Sequence, residues 1–392
     1  MDARNAAQPV AEAGKHYLLR PDVVFLNHGS FGARPLPVHE AYQRWQRELE
    51  AQPVEFLGRR LPDLLREARQ RVARYVGAQP DNLVFVPNVT HGMNIIARSL
   101  RFQPGDEILY TDHEYGAVER TWRFMCRHNG AALRIQPLAL PVTSASDLID
   151  ELWQGVTERT RLLVISHITS PTALTFPLAE ICQRAHAADI LVAVDGAHAP
   201  GQIDLQLEQI QPDFYVGNLH KWLSAPVGAG FLYAAPQHQE RLEPLVVSWG
   251  YESLHPGPSR FQDYFEWIGT DDPSAYLSVP AAIDFQEQHD WPRVRARCYD
   301  LASHARQAIN HLTGLADIAP DTWFAQMRAI ALPPCDSAHL KARLYDEYHI
   351  EVPIIDWNDR QFVRVSIQAY NSPADVTRLV DALSHLLSLI HI

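Results

Sequence analysis

Lysine is scarce in this sequence of 392 residues: of its 34 basic side chains, only Lys15, Lys221 and Lys341 are lysine. Basic residues are also outnumbered, since the formal net charge is −12 with histidine neutral. A chain this acidic, with no basic patch, would repel a phosphate backbone, so we expect no nucleic-acid partner. The shortage of lysine raises the question of why one is kept in the segment GNLHKWL, residues 217–223.

Cysteine and long apolar runs are also scarce. The four cysteines are far apart and form no CxxC pair, which predicts free thiols in a reducing compartment. No apolar run reaches the ~20 residues that span a bilayer, and the first residues lack the apolar core of a signal peptide. We therefore expect a cytoplasmic protein without a membrane partner. The 19 histidines show no HExxH or comparable spacing, so no metal site is predicted.

Apolar segments alternate with segments of helical periodicity between about residues 82 and 234. NLVFVPN, DEILYTD, RLLVISHI and ILVAVDGAH are typical of buried strands. Strands that are apolar on both faces and separated by helices predict an α/β fold with a mostly parallel sheet. Helices dominate after about residue 276, which indicates a second, smaller α+β domain. We predict an N-terminal arm over 1–20, a large domain over 21–275 and a small domain over 276–392.

Polar residues recur where the predicted strands end, which is the edge at which open α/β sheets bind ligands. They include an aspartate after an apolar strand (Asp195), a threonine at a helix start (Thr90) and Lys221. A pyridoxal 5'-phosphate (PLP) site requires these three features. A lysine amine binds the aldehyde, a carboxylate keeps the ring nitrogen protonated, and a helix N-terminus with a hydroxyl binds the phosphate.

A longer pattern surrounds Lys221. Residues 165–233 contain SHITS, VDGAHAPG, DFYVGN, HKWL and GFLY at fixed spacing, and they resemble the core signature of class V aminotransferase-fold PLP enzymes. This family includes cysteine desulfurases, C–S lyases, kynureninases and isopenicillin N epimerases. NHGSFG and HEYGA lean toward the isopenicillin N epimerase-like branch. The resemblance implies the aspartate aminotransferase-like fold type I, the cofactor PLP, an amino-acid or peptide substrate and a homodimer.

The resemblance also implies roles for individual residues. Lys221 would hold PLP as a Schiff base, which arginine cannot do because its guanidinium stays protonated. Asp195 would pair with the ring nitrogen, and Tyr115 would stack on the ring. The remaining implied cofactor contacts are Val89 and Thr90 at the phosphate, Ser170 near the ring, His198 at the ring hydroxyl, Asn218 and His220 beside the phosphate, and Thr270 at the phosphate of the other subunit. The implied substrate contacts are Arg364 as the carboxylate clamp, with Asn27, His28 and Ser30 lining the substrate side.

Each of these residues also has an ordinary structural explanation. An aspartate after a strand is a common turn former, and a threonine at a helix start is a common cap. Tyr115 can be ordinary core packing, and buried histidines such as His198 can be satisfied imidazoles.

The sequence leaves the reaction open. Desulfurases need a cysteine shortly before the C-terminal arginine, but residues 351–364 contain none and Cys335 lies well upstream, which disfavours persulfide transfer. Elimination by a C–S lyase needs no such cysteine, and transamination needs only Lys221. Epimerisation needs a second base, for which Tyr115, His28 or a residue of the partner subunit qualifies. We predict an epimerase; a C–S lyase, an aminotransferase and a non-catalytic PLP-binding scaffold are the alternatives.

Overall fold

The computed structural model of the protein describes residues 13–388. Residues 1–12, which form most of the predicted N-terminal arm, lie outside the described residues. A short strand, β1 (Val24–Phe25), precedes a central sheet of seven strands. These are β2 (Leu83–Val86), β3 (Glu107–Thr111), β4 (Ala132–Gln136), β5 (Thr160–Ser166), β6 (Leu191–Gly196), β7 (Phe214–Asn218) and β8 (Gly230–Ala234).

The central sheet has the spatial order β2-β8-β7-β6-β5-β3-β4. The pairs among β3 to β7 are parallel, whereas β8 runs antiparallel to both of its neighbours. Successive residues of one strand enter different cores: Val192 and Val194 pack on one face of the sheet and Ala193 on the other. This explains the continuously apolar strand sequences, and the predicted mostly parallel sheet is confirmed.

Helices pack on both faces of this sheet and also against the last part of the chain. In the first half of the chain they are α1 (His28–Phe31), α2 (Leu36–Ala51), α3 (Pro53–Glu55), α4 (Leu61–Val76), α5 (Val89–Ser99), α6 (Gly116–Asn129), α7 (Ala145–Trp153) and α8 (Leu178–Ala187). In the second half they are α9 (Leu207–Ile210), α10 (Arg260–Glu266), α11 (Ser274–Leu277), α12 (Val279–Gln288), α13 (Trp291–Thr313), α14 (Ser337–Tyr348) and α15 (Pro373–Ser388).

Two segments whose sequences favour one continuous element are interrupted in the structure. Residues 36–76 have one continuous helical pattern, but the helix breaks at Gln52 because the residue before a proline is disfavoured in the α conformation. A π-helical turn, Phe56–Arg60, follows this break. The segment 213–223 is mostly apolar, but β7 ends at Asn218, so that Lys221 lies in the loop that follows.

The last part of the chain forms a second, antiparallel sheet of order β11-β12-β9, built from β9 (Met327–Leu332), β11 (Ile354–Trp357) and β12 (Arg360–Ser366). The short strand β10 (Ile350–Glu351) lies between β9 and β11 in the sequence and pairs in parallel with β1 instead of joining this sheet. The boundary at 275/276 stays a prediction, and the β1–β10 pair joins segments from both sides of it. Within residues 13–388, no helix is long and apolar enough to span a membrane.

The close packing of Gly196 against Tyr215 leads to a testable prediction. A Cβ atom at Gly196 would overlap the buried ring of Tyr215. Gly196→Ala should therefore lower the free energy of unfolding by about 1–3 kcal/mol, measured by urea denaturation. Gly58→Ala is the control, because a Cβ atom there meets nothing within 4 Å, and it should change the stability by less than about 1 kcal/mol. Equal effects of both substitutions would contradict this view of the packing.

Candidate active site

A cavity of about 260 Å³ opens where β5, β6 and β7 end and where α5 and α6 begin. Parallel strands bring their carboxyl ends to the same edge of a sheet, which explains why residues far apart in sequence meet here. Ten of the predicted site residues line this cavity: Ser30, Val89, Thr90, Tyr115, Ser170, Asp195, His198, Asn218, His220 and Lys221.

Lys221 lines the cavity and is partly buried. Burial lowers the pKa of its amine to about 8, although the neighbouring Asp195 carboxylate opposes this shift. Its Nζ atom lies 3.3 Å from His198 Nε2. An amine that loses its proton near neutral pH can act as a nucleophile, which an ordinary exposed lysine does poorly.

His198 is held in one tautomer. Trp222 Nε1 donates a hydrogen bond of 3.2 Å to His198 Nδ1, so the ring proton resides on Nε2, which faces Lys221. Burial keeps the pKa of His198 well below its ordinary value, and the imidazole is therefore neutral. The Nε2–H group can donate to an oxygen in the cavity, as the predicted contact with the PLP ring hydroxyl requires.

Asp195 is the second-last residue of β6 and is almost completely buried. The backbone N–H of Ala197 donates to Oδ1 over 2.9 Å, and within residues 13–388 no hydrogen bond involves Oδ2. Burial raises the pKa of Asp195, while the charge of Lys221 lowers it. A buried carboxylate with one free oxygen suits a protonated ring nitrogen, since such a charge needs a partner.

The N-terminus of α5 forms another wall. The side chain of Asn88 caps this helix by accepting from the backbone N–H of His91, and Asn218 Oδ1 accepts from the backbone N–H of Val89 over 3.0 Å. The predicted phosphate contact of Val89 is therefore occupied by a side chain. Among the described hydrogen bonds, the N–H and hydroxyl of Thr90 have no partner, so both are free to bind a phosphate at this positive helix end.

The two other predicted phosphate ligands are placed differently. His220 lines the cavity, with Nδ1 3.3 Å from the carbonyl oxygen of Ala229, and burial lowers its pKa to about 4. Thr270 is exposed and does not line this cavity. Its predicted role concerns the site of a second subunit, which a single chain does not contain.

Arg364 is a buried cation beside the cavity. Its Nη1 donates to the carbonyl oxygen and the hydroxyl of Ser170, over 2.7 and 3.0 Å, and its Nη2 donates to Ser30 Oγ over 3.3 Å. Within the described chain no carboxylate forms an ion pair with it, and burial lowers its pKa to about 10. A buried guanidinium without a counter-charge suits an anionic ligand such as an α-carboxylate.

His28 and Asn27 were predicted to contact the substrate, but neither residue lines the cavity. Both ring nitrogens of the buried His28 are bonded: Nδ1 to the hydroxyl of Tyr370 and Nε2 to the carbonyl oxygen of Lys221, each over 3.0 Å. Burial lowers the pKa of His28 to about 3. It therefore supports the loop that carries Lys221. Asn27 accepts a hydrogen bond from Ser30, which lines the cavity, and does not line the cavity itself.

Glu114, which was not among the predicted site residues, is a further, partly buried carboxyl group beside the cavity. The hydroxyl groups of Thr111 and Ser166 donate to its carboxyl oxygens, and burial raises its pKa to about 7. Ser166 lines the cavity. The signal available in the sequence was an acidic residue three positions after an apolar strand.

The donor set fits PLP. An amine with a lowered pKa, a free carboxylate oxygen, a neutral imidazole N–H and the unpartnered N–H and hydroxyl of Thr90 face one cavity, and each matches a different chemical group of this cofactor. Tyr115, with 51% of its side chain exposed, lies at the cavity mouth, where a ring could stack.

The chain belongs to the class V aminotransferase family, whose model matches residues 24–379. It is 38% identical to the isopenicillin N epimerase of Amycolatopsis lactamdurans, over 96% of this chain and 98% of that protein. The isopenicillin N epimerase of Streptomyces clavuligerus gives the same identity and coverage. A probable chloroplastic L-cysteine desulfhydrase of Arabidopsis thaliana is 30% identical, over 93% of this chain and 83% of that protein.

Solved structures show the same fold. The cysteine desulfurase CsdA of Escherichia coli superposes with a TM-score of 0.80 at 24% identity, over 97% of this chain and 98% of that chain. A cystine C–S lyase, C-DES, gives a TM-score of 0.81 at 23% identity, over 93% of this chain and 98% of that chain. The predicted fold type is confirmed, and so are the predictions of a PLP-dependent enzyme and of its family.

The lowered pKa of Lys221 predicts how the cofactor-free protein reacts with PLP. The rate of covalent attachment, followed by visible absorbance, should rise with pH and reach half its maximum near pH 8, because only the neutral amine reacts. Asp195→Asn should move this midpoint to lower pH, because the Asp195 carboxylate raises the pKa of Lys221.

Lys221→Ala should show no attachment at any pH, and borohydride reduction followed by mass spectrometry should find no modified lysine. Lys341→Ala, which alters an exposed lysine of α14, is the matched control and should react like the unchanged protein. A midpoint near the ordinary lysine pKa of 10.5 would show that the reactive amine is not buried.

Proposed function

We propose that this protein is an amino-acid epimerase of the isopenicillin N epimerase type, which inverts the Cα centre of a free amino acid or of one within a peptide. The observation that carries the proposal is the 38% identity to two isopenicillin N epimerases over nearly the whole of both chains. The cavity contributes suitable acid–base groups, and no cysteine lines it.

Arg364 binds and orients the substrate in this proposal. Its guanidinium holds the α-carboxylate, assisted by Ser170. PLP, when bound, supplies a conjugated ring that makes the Cα–H bond of an attached amino acid acidic. The Nζ atom of Lys221 would remove or return a proton at Cα, and the Asp195 carboxylate would pair with the protonated ring nitrogen.

Inversion needs a second acid–base group, because one base returns the proton to the face from which it came. Tyr115 is our candidate. It lines the same cavity and is 51% exposed, whereas Lys221 is more deeply buried. No side-chain hydrogen bond of the Tyr115 hydroxyl occurs within residues 13–388, so the group is free to donate a proton. His28 is a poor candidate because both of its ring nitrogens are bonded behind Lys221.

A C–S lyase is the second candidate function. The similarity to an L-cysteine desulfhydrase at 30% identity favours it, and elimination requires no catalytic cysteine. Lys221, Asp195 and Arg364 would have the same roles in that reaction. Release of pyruvate and sulfide from L-cysteine would identify the lyase, whereas formation of a D-configured product would identify the epimerase. Transamination would instead release an oxo acid.

We further propose a cytoplasmic homodimer in which Thr270 completes the partner's phosphate site. Thr270 does not line the cavity of its own chain, so any role at a phosphate requires a second copy. Large apolar side chains are also exposed around the cavity mouth and on residues 247–254: Val227, Val247, Trp249 and Leu254. Covering such side chains in a subunit interface would remove apolar area from water.

Tyr115→Phe tests the proposed reaction. This substitution keeps the aromatic ring, so PLP binding should be retained, but epimerisation should fall by about 10²–10⁴-fold. Chiral chromatography with isopenicillin N and a panel of L-amino acids measures the inversion. Exchange of the Cα proton in D₂O, followed by NMR, should continue through Lys221 with the configuration retained. Unchanged inversion would exclude Tyr115 as the second group.

A hybrid dimer tests the shared site. Thr270→Ala should weaken PLP binding by about 10-fold, the loss of one good hydrogen bond. A hybrid of a Thr270→Ala subunit and a Lys221→Ala subunit contains one site with both residues intact, if Thr270 serves the partner. This hybrid, purified with two affinity tags, should then bind PLP covalently with full affinity. Weak binding would show that Thr270 acts in its own subunit or not at all.

A further inference from the structure

A chain of hydrogen bonds runs from Arg364 away from the cavity. Arg364 Nη2 donates to Ser30 Oγ over 3.3 Å, and the Ser30 hydroxyl donates to Asn27 Oδ1 over 2.6 Å. Asn27 Nδ2 then donates to Glu351 Oε1 over 2.8 Å. All three bonds have the same direction, from the buried cation toward the carboxylate of Glu351.

The direction of this chain depends on its last member. A carboxylate only accepts hydrogen bonds, so it fixes the NH₂ group of Asn27 on its own side and the amide oxygen on the side of Ser30. The Ser30 proton must then point to Asn27. A lone pair of Ser30 is left for Arg364, whose guanidinium has only donors.

The backbone holds Glu351 in place for this task. Glu351 lies on β10, opposite Phe25 of β1, and the backbone N–H of Leu26 donates to the carbonyl oxygen of Glu351 over 3.0 Å. Asn27 follows directly and is itself buried. The pairing of two short strands from opposite ends of the chain thus fixes the distance between the two side chains.

We propose that Glu351 is a positioning residue for recognition of the substrate carboxylate. By fixing the polarity of the Asn27–Ser30 pair, it places the Arg364 guanidinium toward the cavity without forming an ion pair that would neutralise it. Ser30 lines the cavity, so the oriented hydroxyl lies at the edge of the same ligand. The inference rests on the proposed function only in requiring a ligand with an α-carboxylate.

Glu351→Gln tests this inference, because a glutamine amide can either accept or donate and therefore no longer fixes Asn27. The probes are L-alanine and ethylamine, which have the same amine but only one of which has a carboxylate. Their dissociation constants for the PLP-loaded enzyme are measured from the change in visible absorbance. We expect L-alanine to bind about 3–10-fold more weakly to the variant, with ethylamine unchanged.

Two further variants separate positioning from folding. Ser30→Ala interrupts the chain at its other end and should weaken L-alanine binding similarly, while Glu351→Gln in that background should add nothing. Glu347→Gln removes an exposed carboxylate of α14 that pairs with Arg343, and it should change neither affinity. Thermal unfolding of each variant checks that it is folded.

Each outcome decides the inference. Weaker binding of L-alanine with unchanged binding of ethylamine supports it, even if no substrate is epimerised, in which case only the proposed function fails; any other change in the ratio of the two affinities overturns it. The inference is overturned if both probes weaken equally, if neither changes, or if L-alanine binds the unchanged enzyme no better than ethylamine.

Discussion

The burial of Lys221 and Asp195 in one cavity is the constraint on which this site depends. Removing either charge from water is unfavourable, and each is stabilised by the other: Asp195 opposes the fall in the pKa of Lys221, and Lys221 opposes the rise in the pKa of Asp195. Their neighbour His198 stays neutral, because a third charge in this space would be costlier still. The site is therefore prepared for a ligand that brings a cationic ring and an aldehyde.

Arg364 is a further buried charge of the site, and it is stabilised in a different way. Arg364 is buried and forms no ion pair with any carboxylate among residues 13–388; its guanidinium instead donates to the carbonyl and hydroxyl of Ser170 and to the hydroxyl of Ser30. Dipoles stabilise a cation without neutralising it, so its attraction for an incoming carboxylate is retained. A direct ion pair at this position would instead have to be broken by every substrate molecule.

Local sequence patterns predicted the central sheet and most of the cavity, because parallel strands place residues such as Asp195 and Lys221 at a common edge. The helix break at Gln52 was also readable in principle, from Pro53. The positions of Asn27 and His28 could not be predicted from the sequence, because they depend on the pairing of Val24 with Ile350. Hydrogen bonds between residues more than 300 positions apart leave no periodic signal in one sequence.

The chemistry of the site explains why a lysine is retained at position 221 in a chain with few lysines. An aldehyde reacts with a neutral amine, and a guanidinium does not supply one. Of the three lysines, Lys221 lines the cavity while Lys15 and Lys341 do not, and burial gives Lys221 the lowered pKa that attachment requires. Selectivity for one position thus comes from its environment, and specificity among substrates must come from groups farther out. Tyr115 at the mouth and Arg364 with its oriented partners are the groups placed to provide it.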